Sequence, residues 1–172
     1  MSEFASLGVA FQQNGFLTLP GYLAPASLVA VQESLKDLDR GMFVGGDDSE
    51  HAWKEYHNTN ISYLHEIVDV DRLEDMIQCR ISKSYLWINW YEPGSYISGH
   101  RDAGGMLQLL IPIIIPSCGD GGELWIGECG NVVPIHEGDG FLFLASELIH
   151  GTTEVSRLSK RPRITINARL WF

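Results

Sequence analysis

The stretch 163–172, Arg-Ile-Thr-Ile-Asn-Ala-Arg-Leu-Trp-Phe, opens with a strict alternation of polar and apolar residues. A period of two is that of a β-strand, whose successive side chains point to opposite faces. Arg163, Thr165, Asn167 and Arg169 share one face; Ile164, Ile166, Ala168 and Leu170 share the other. The apolar face belongs on a core. The polar face is costly to bury unless it meets water or a charged ligand. Arginine is the side chain that grips a carboxylate with two parallel hydrogen bonds. The stretch 85–91 has the same habit, with Tyr85, Trp87, Asn89 and Tyr91 on one face and Leu86, Ile88 and Trp90 on the other. Two strands with polar inner faces imply a barrel mouth that binds a polar molecule.

Further strand-like runs are expected at 96–100, 106–115, 123–126, 132–134 and 140–145, separated by turn signals such as Glu92-Pro93-Gly94 and Gly119-Asp120-Gly121-Gly122. The first half reads differently. Helices are expected over 2–13, with Ser2 as cap and Asn14-Gly15 as stop, over 25–40, and from Asp69 to about Lys83. A short strand is expected at 16–19. Leu28, Val31, Leu35 and Leu38 form the buried stripe of the second helix, and Val70, Leu73, Met76 and Ile77 that of the third. Residues 41–60 show no period and are expected to form an irregular lid, with Trp53, Lys54, Tyr56 and His57 as substrate contacts. The fold class expected is mainly β with N-terminal helices: a double-sheet jelly roll with the helices packed on one sheet. One domain is expected over 1–172, its core at 85–172, with 1–84 as helical support and lid.

The formal net charge of −10 argues against a nucleic-acid partner, since phosphate contacts require a basic face. No apolar run approaches the roughly 20 residues of a membrane span. The start of the sequence lacks a basic, then apolar, leader. Cys79, Cys118 and Cys129 form no metal-binding cluster, and an odd count is expected to be reduced thiols in a cytoplasmic protein.

His100-Arg101-Asp102 places a histidine and a carboxylate two residues apart, on one face if the strand continues, with Arg101 turned away. His150 is the best third ligand. Two histidines and one carboxylate form the facial triad that holds non-haem Fe(II) and leaves positions open. His51, His57, His65 and His136 are expected to be surface or lid residues, His136 bonding near the Gly138-Asp139 turn.

These motifs run in an order that resembles the Fe(II)/2-oxoglutarate-dependent dioxygenases over about 85–172. His100-x-Asp102 is followed by Gly121-Gly122-Glu123-Leu124, then by Gly138-Asp139 leading into Phe-Leu-Phe, then by His150 and the Arg163-x-Thr165 strand. The Gly-Gly-Glu-Leu turn resembles the prolyl-hydroxylase branch and its small bacterial relatives. The Asn89-x-Tyr91-x-Pro93-Gly94 lead-in and the Arg163 and Arg169 spacing resemble the AlkB-type dealkylases, although no base-recognition lid is found.

The resemblance implies that His100, Asp102 and His150 hold Fe(II). It implies that Arg163, helped by Thr165, pairs with the distal carboxylate of 2-oxoglutarate, with Arg161 as rival, and that Tyr91 and Asn89 hydrogen-bond this cosubstrate. Arg169 and Trp87, with Trp53 and Tyr56, would meet the substrate. The implied reaction consumes O2 and oxidises an unactivated C–H bond, with succinate and CO2 as coproducts. A small-molecule substrate, such as an amino acid or biosynthetic intermediate, is expected. A peptidyl or prolyl hydroxylase, an AlkB-type dealkylase and a non-catalytic cupin-like binder are the alternatives.

Overall fold

The structure is a computed structural model. It describes residues 3–36, 44–48, 53–58, 64–103 and 107–172, with the side chains of 3–7, 44–48, 53–58 and 65 outside the description. Ser2, Leu38, Gly41, His51 and Met106 therefore lie outside it, as do the side chains of Trp53, Lys54, Tyr56, His57 and His65.

In chain order the elements are α1 (Glu3–Asn14), β1 (Phe16–Leu19), α2 (Pro25–Lys36), β2 (Val44–Asp48), β3 (Trp53–Asn58), α3 (Leu64–Ile67), α4 (Val70–Ile77), β4 (Lys83–Tyr91), β5 (Tyr96–His100), β6 (Leu107–Ile114), β7 (Leu124–Ile126), β8 (Asn131–Val132), β9 (Gly140–Phe143), β10 (His150–Thr152) and β11 (Arg163–Trp171). The strands join in the order β1-β9-β6-β11-β4-β3-β5-β10-β7-β8, with β2 on β3, and the pairs are antiparallel.

The long alternating strands occupy the middle of this order. β11 pairs with β4 along its whole length, from Arg163 opposite Tyr91 to Trp171 opposite Lys83. Its other edge pairs with β6. One face of this trio is apolar: Leu86, Ile88, Leu107, Leu109, Ile111, Ile113, Ile164, Ile166, Ala168 and Leu170 are buried in one core with Val31, Leu35, Leu73, Met76 and Ile77 of the helices. Each of these side chains other than Ala168 contributes on the order of 1.5–3 kcal/mol by leaving water. The helices thus lie on one sheet, as the alternation requires. The opposite face looks into the barrel, where Leu110, Leu124, Ile126, Phe141 and Phe143 form a second, smaller core.

Polar groups fix the connections. Asp69 caps α4 by accepting from Arg72 N at 3.0 Å. The expected extension of this helix to about Lys83 is not found: Gln78 adopts φ 55, ending α4 at Ile77, and Lys83 already belongs to β4. The Asp139 carboxylate accepts from Gly21 N at 2.8 Å and His136 N at 2.9 Å, tying the turn before α2 to the turn before β9. Burial opposes ionisation of Asp139. The bonds from Gly21 and from the His136 backbone and ring outweigh it and hold the carboxyl below its usual range.

The expected irregular character of 41–60 is corrected where the segment is described. Its described parts are β2 and β3, paired as a hairpin. β3 pairs with β4 through Tyr56, His57 and Asn58, and with β5 through Trp53 and Lys54. One strand therefore carries the sheet from the helix-backed half to the half that holds β5, β10, β7 and β8.

Candidate metal centre

β5 and β10 are cross-strand neighbours, and His100 and His150 are register partners with ring centroids 4.4 Å apart. Both rings use the same local device. His100 Nδ1 lies 2.9 Å from Ser98 O, and His150 Nδ1 lies 3.0 Å from Leu148 O. A carbonyl only accepts, so each Nδ1 carries the proton and each Nε2 keeps its lone pair. Both lone pairs turn toward Asp102: His100 Nε2 is 3.7 Å from Oδ1, and His150 Nε2 is 3.8 Å from Oδ2. The Phe143 ring meets His150 edge-on at 4.8 Å.

Asp102 does not continue the strand, which ends at His100. It is placed by its backbone N–H, which donates to Ala145 O at 2.9 Å. The segment carrying the carboxylate is thereby pinned to the loop that leads into His150. Arg101 points outward, donating to Glu147 O and Glu128 Oε1.

The ligand atoms of His100, Asp102 and His150 all lie within 4.8 Å of one another. Asp102 is nearly buried, and its Oδ2 accepts no hydrogen bond. Arg169 Nη2 approaches that oxygen to 2.6 Å as an ion pair without hydrogen-bond geometry. A buried carboxylate oxygen left in that state, beside two imidazoles with preset lone pairs, fits a divalent cation. Two nitrogens and one oxygen are a donor set suited to Fe(II).

Burial pushes the His150 imidazole down to about 4; the bond to Leu148 O opposes the shift, and the neighbouring His100 adds to it. The ring is therefore neutral and able to ligate at neutral pH. The consequence for the metal-free protein follows from proton linkage. An imidazole of 6.5 when unfolded and about 4 when folded binds its proton first in the unfolded chain. Its contribution is complete above pH 6.5 and is lost as pH falls toward 4. Urea titration of chelator-treated protein should show a loss of about 3 kcal/mol across that window, less in His150→Gln.

The cleft beside this cluster is narrow, about 50 Å³, and is walled by β4, β5, β6, β7, β10 and β11. Larger hollows, about 540 and 630 Å³, lie between the helices and beside the Gly121-Gly122 turn. They are roomier, but neither holds the histidine–carboxylate cluster. Asn89, Tyr91, Trp87 and Arg169 line the cleft as the alternation requires. Asn89 Nδ2 donates to the Tyr91 hydroxyl at 3.1 Å. Arg163 is 1% exposed, its guanidinium 5.2 Å from the centre of the Tyr91 ring and 3.4 Å from Thr152 Oγ1. Thr165 is fully buried and accepts from Asn167 Nδ2 at 3.1 Å. Arg161 instead sits half exposed in an ion pair with Glu137 at 2.8 Å. Neither arginine lines the cleft itself: both border the hollow beside the Gly121-Gly122 turn, and Arg163 reaches the cleft wall through Tyr91 and Thr152. Trp53 and Tyr56 are on β3, which borders β4 and β5.

Sequence reasoning missed Gln108, Thr152 and the glycines beside the histidines. A Cβ on Gly99 would lie 2.5 Å from the Trp125 ring, and one on Gly151 2.6 Å from it. Trp125 is the register partner of Gly151 on β7. Its indole lies against the backbone of both histidine-bearing strands, where only glycine leaves room. The signal was present as Gly99-His100 and His150-Gly151, a glycine next to each candidate ligand.

No protein-family model matches the sequence, and no curated protein matches it. Solved structures do. A Pseudomonas putida prolyl-4-hydroxylase aligns over 99% of this chain and 100% of its own, with a TM-score of 0.78 and 17% identity. A 2OG-Fe(II) oxygenase family oxidoreductase from Burkholderia pseudomallei aligns over 99% and 91%, with a TM-score of 0.76 and 17% identity. The epimerase SnoN from nogalamycin biosynthesis, solved with Fe3+ and alpha ketoglutarate, aligns over 98% and 83%, at 0.73 and 13%. Identities this low speak to architecture alone, and on that they agree: the chain has the double-stranded β-helix fold of the Fe(II)/2-oxoglutarate oxygenases.

Proposed function

We propose that this protein is an Fe(II)- and 2-oxoglutarate-dependent oxygenase acting on a small molecule in the cytoplasm. The observation that carries the reading is the cluster of His100, Asp102 and His150 at a cleft whose wall residues Tyr91 and Thr152 are backed by the buried Arg163. In this reading the three side chains hold Fe(II). Arg163, with Thr165 and Thr152 at hand, holds the distal carboxylate of 2-oxoglutarate in a site largely shielded from water, where an ion pair is stronger. Asn89 and Tyr91 orient the cosubstrate; Asn89 Oδ1 is buried without a partner and can accept a bond. Bound iron and 2-oxoglutarate, with O2, supply the power to oxidise an unactivated C–H bond, releasing succinate and CO2. A cleft of about 50 Å³ is smaller than a five-carbon diacid, so cosubstrate binding moves lining side chains aside.

The second reading is a peptidyl or prolyl hydroxylase, favoured by the similarity to the Pseudomonas putida prolyl-4-hydroxylase. The similarity to SnoN, from nogalamycin biosynthesis, favours the small-molecule reading. The negative net charge weighs against a nucleic-acid substrate.

Anaerobic titration with Fe(II) and then 2-oxoglutarate tests the core of the reading. A visible charge-transfer band is expected, lost in His100→Ala and at least tenfold weaker in cosubstrate affinity in Arg163→Met. No band in folded, iron-loaded protein would overturn the oxygenase reading.

A further inference from the structure

The oxygenase reading leaves part of the cleft without a task. Among its described lining residues, four buried side-chain atoms make no hydrogen bond: Asn89 Oδ1, Asp102 Oδ2, Gln108 Oε1 and Arg169 Nε. Asp102 is a metal ligand and Asn89 a cosubstrate contact in that reading. Gln108 and Arg169 remain, and they are register partners across β6 and β11, with both side chains on the cleft.

Gln108 is the one polar residue in the run 107–115, and it is 6% exposed. A buried carboxamide oxygen without a partner is destabilising, so a fold-only explanation would place a leucine there. Arg169 has its guanidinium 5.4 Å from the centre of the Trp87 ring and its Nη2 on Asp102. A metal that takes up the charge of Asp102 leaves that guanidinium less neutralised. The cleft then presents a cationic N–H donor and a neutral acceptor side by side.

We infer that Gln108 and Arg169 form the substrate-recognition pair for a small carboxylic acid bearing an N–H or O–H group on the carbon next to the carboxylate, an α-amino or α-hydroxy acid. Arg169 Nε donates to the carboxylate, and Gln108 Oε1 accepts from the neighbouring N–H or O–H. A residue within a peptide lacks the free carboxylate and meets only half of this pair. The assignment rests on the oxygenase reading of the same cleft and narrows its substrate class. Gln108 is a specificity residue here, separate from the metal and cosubstrate contacts.

The test uses full-length protein loaded anaerobically with Fe(II) and 2-oxoglutarate. The probes are the proteinogenic L-amino acids, their carboxamides, and the 2-hydroxy acids lactate and malate. At least one free acid is expected to perturb the charge-transfer band, with the matching carboxamide at least tenfold weaker. Gln108→Leu is expected to weaken that acid about tenfold, leave the cosubstrate band unchanged and melt at the same temperature or higher. A band that responds to no free acid, or equally to acid and carboxamide, overturns the assignment and leaves the oxygenase reading standing. So does a Gln108→Leu variant that binds the acid normally, loses cosubstrate affinity or melts lower, because Gln108 would then be idle, a cosubstrate contact or structural. Failure to form any band in the parent protein overturns both readings.

Discussion

Asp102→Ala is expected to lower affinity for Fe(II) by roughly 100-fold or more, and turnover with it. Partners that merely orient a metal ligand are worth about 10–100-fold, so a ligand itself sets the lower bound there. The loss should come without collapse of the fold. Asp102 is held in place by its backbone bond to Ala145 O, which alanine keeps; the side chain's own loss is the 2.6 Å ion pair with Arg169, whose guanidinium is a quarter exposed and keeps the Trp87 ring, so the cost in melting temperature is expected to be small. Equilibrium dialysis against Co(II) or Mn(II) under nitrogen, beside a thermal melt, separates the two effects. A variant that melts normally and retains metal would show that the ion sits elsewhere. Asp102→Asn keeps the shape and removes the charge, and should fall nearly as far.

The second large effect is expected at a residue that ligates nothing. Gly151→Ala would place a Cβ 2.6 Å from the Trp125 ring and 2.7 Å from Ile97 O. The carbonyl belongs to β5, so the obstacle is partly backbone and cannot swing aside. Overpacking of this kind costs about 1–3 kcal/mol, and a fixed carbonyl puts it at the upper end. The melting temperature should drop by about 5–10 °C. Metal affinity should fall as well, because pushing β10 from β5 or β7 separates His150 from His100. Gly99→Ala meets side-chain atoms alone, at 2.5 Å from Trp125 and 3.2 Å from Ile149. It should be milder, and a second change, Trp125→Leu, should restore part of the loss. If Gly151→Ala melts like the parent and binds metal equally, Trp125 does not clamp the histidine strands.

What could be read in the residues depended on whether a segment carries its own pattern. β4 and β11 announced themselves, because each has one face on the helix-backed core and one on the cleft, and alternation records exactly that division of surroundings in the order of side chains. The histidine–carboxylate set was legible because few other residue types can hold a metal. β10 was not, since three residues are too short to show a period, and its strand character comes from pairing on both edges. The β2–β3 hairpin was hidden for a related reason. Its glycines, aspartates and aromatics show no alternation, and β3 earns its place by bridging β4 and β5, a fact of the whole chain. The over-long third helix failed at its end, where Gln78 takes a left-handed conformation that glycine or asparagine would have signalled. Gln108 carries no pattern of its own, being one polar residue in an apolar run. Its meaning appears once its neighbour across the sheet is known to be Arg169.

β11 lies between β4 and β6 and is later in the chain than either. During synthesis, a nascent chain that has not yet released residues 163–171 presents two long, apolar, unpaired strand edges. Such edges invite pairing with other chains. Closure must also wait for contacts between distant parts of the sequence, which slows folding. Arg169 reaches the cleft, and Arg163 its place against Tyr91 and Thr152 in the cleft wall, in that same step. A chain stalled before it would offer His100, Asp102 and His150 without either arginine. Metal captured at that stage would sit in an open, half-built barrel, so the order of iron loading and strand insertion becomes a question of biogenesis for this protein.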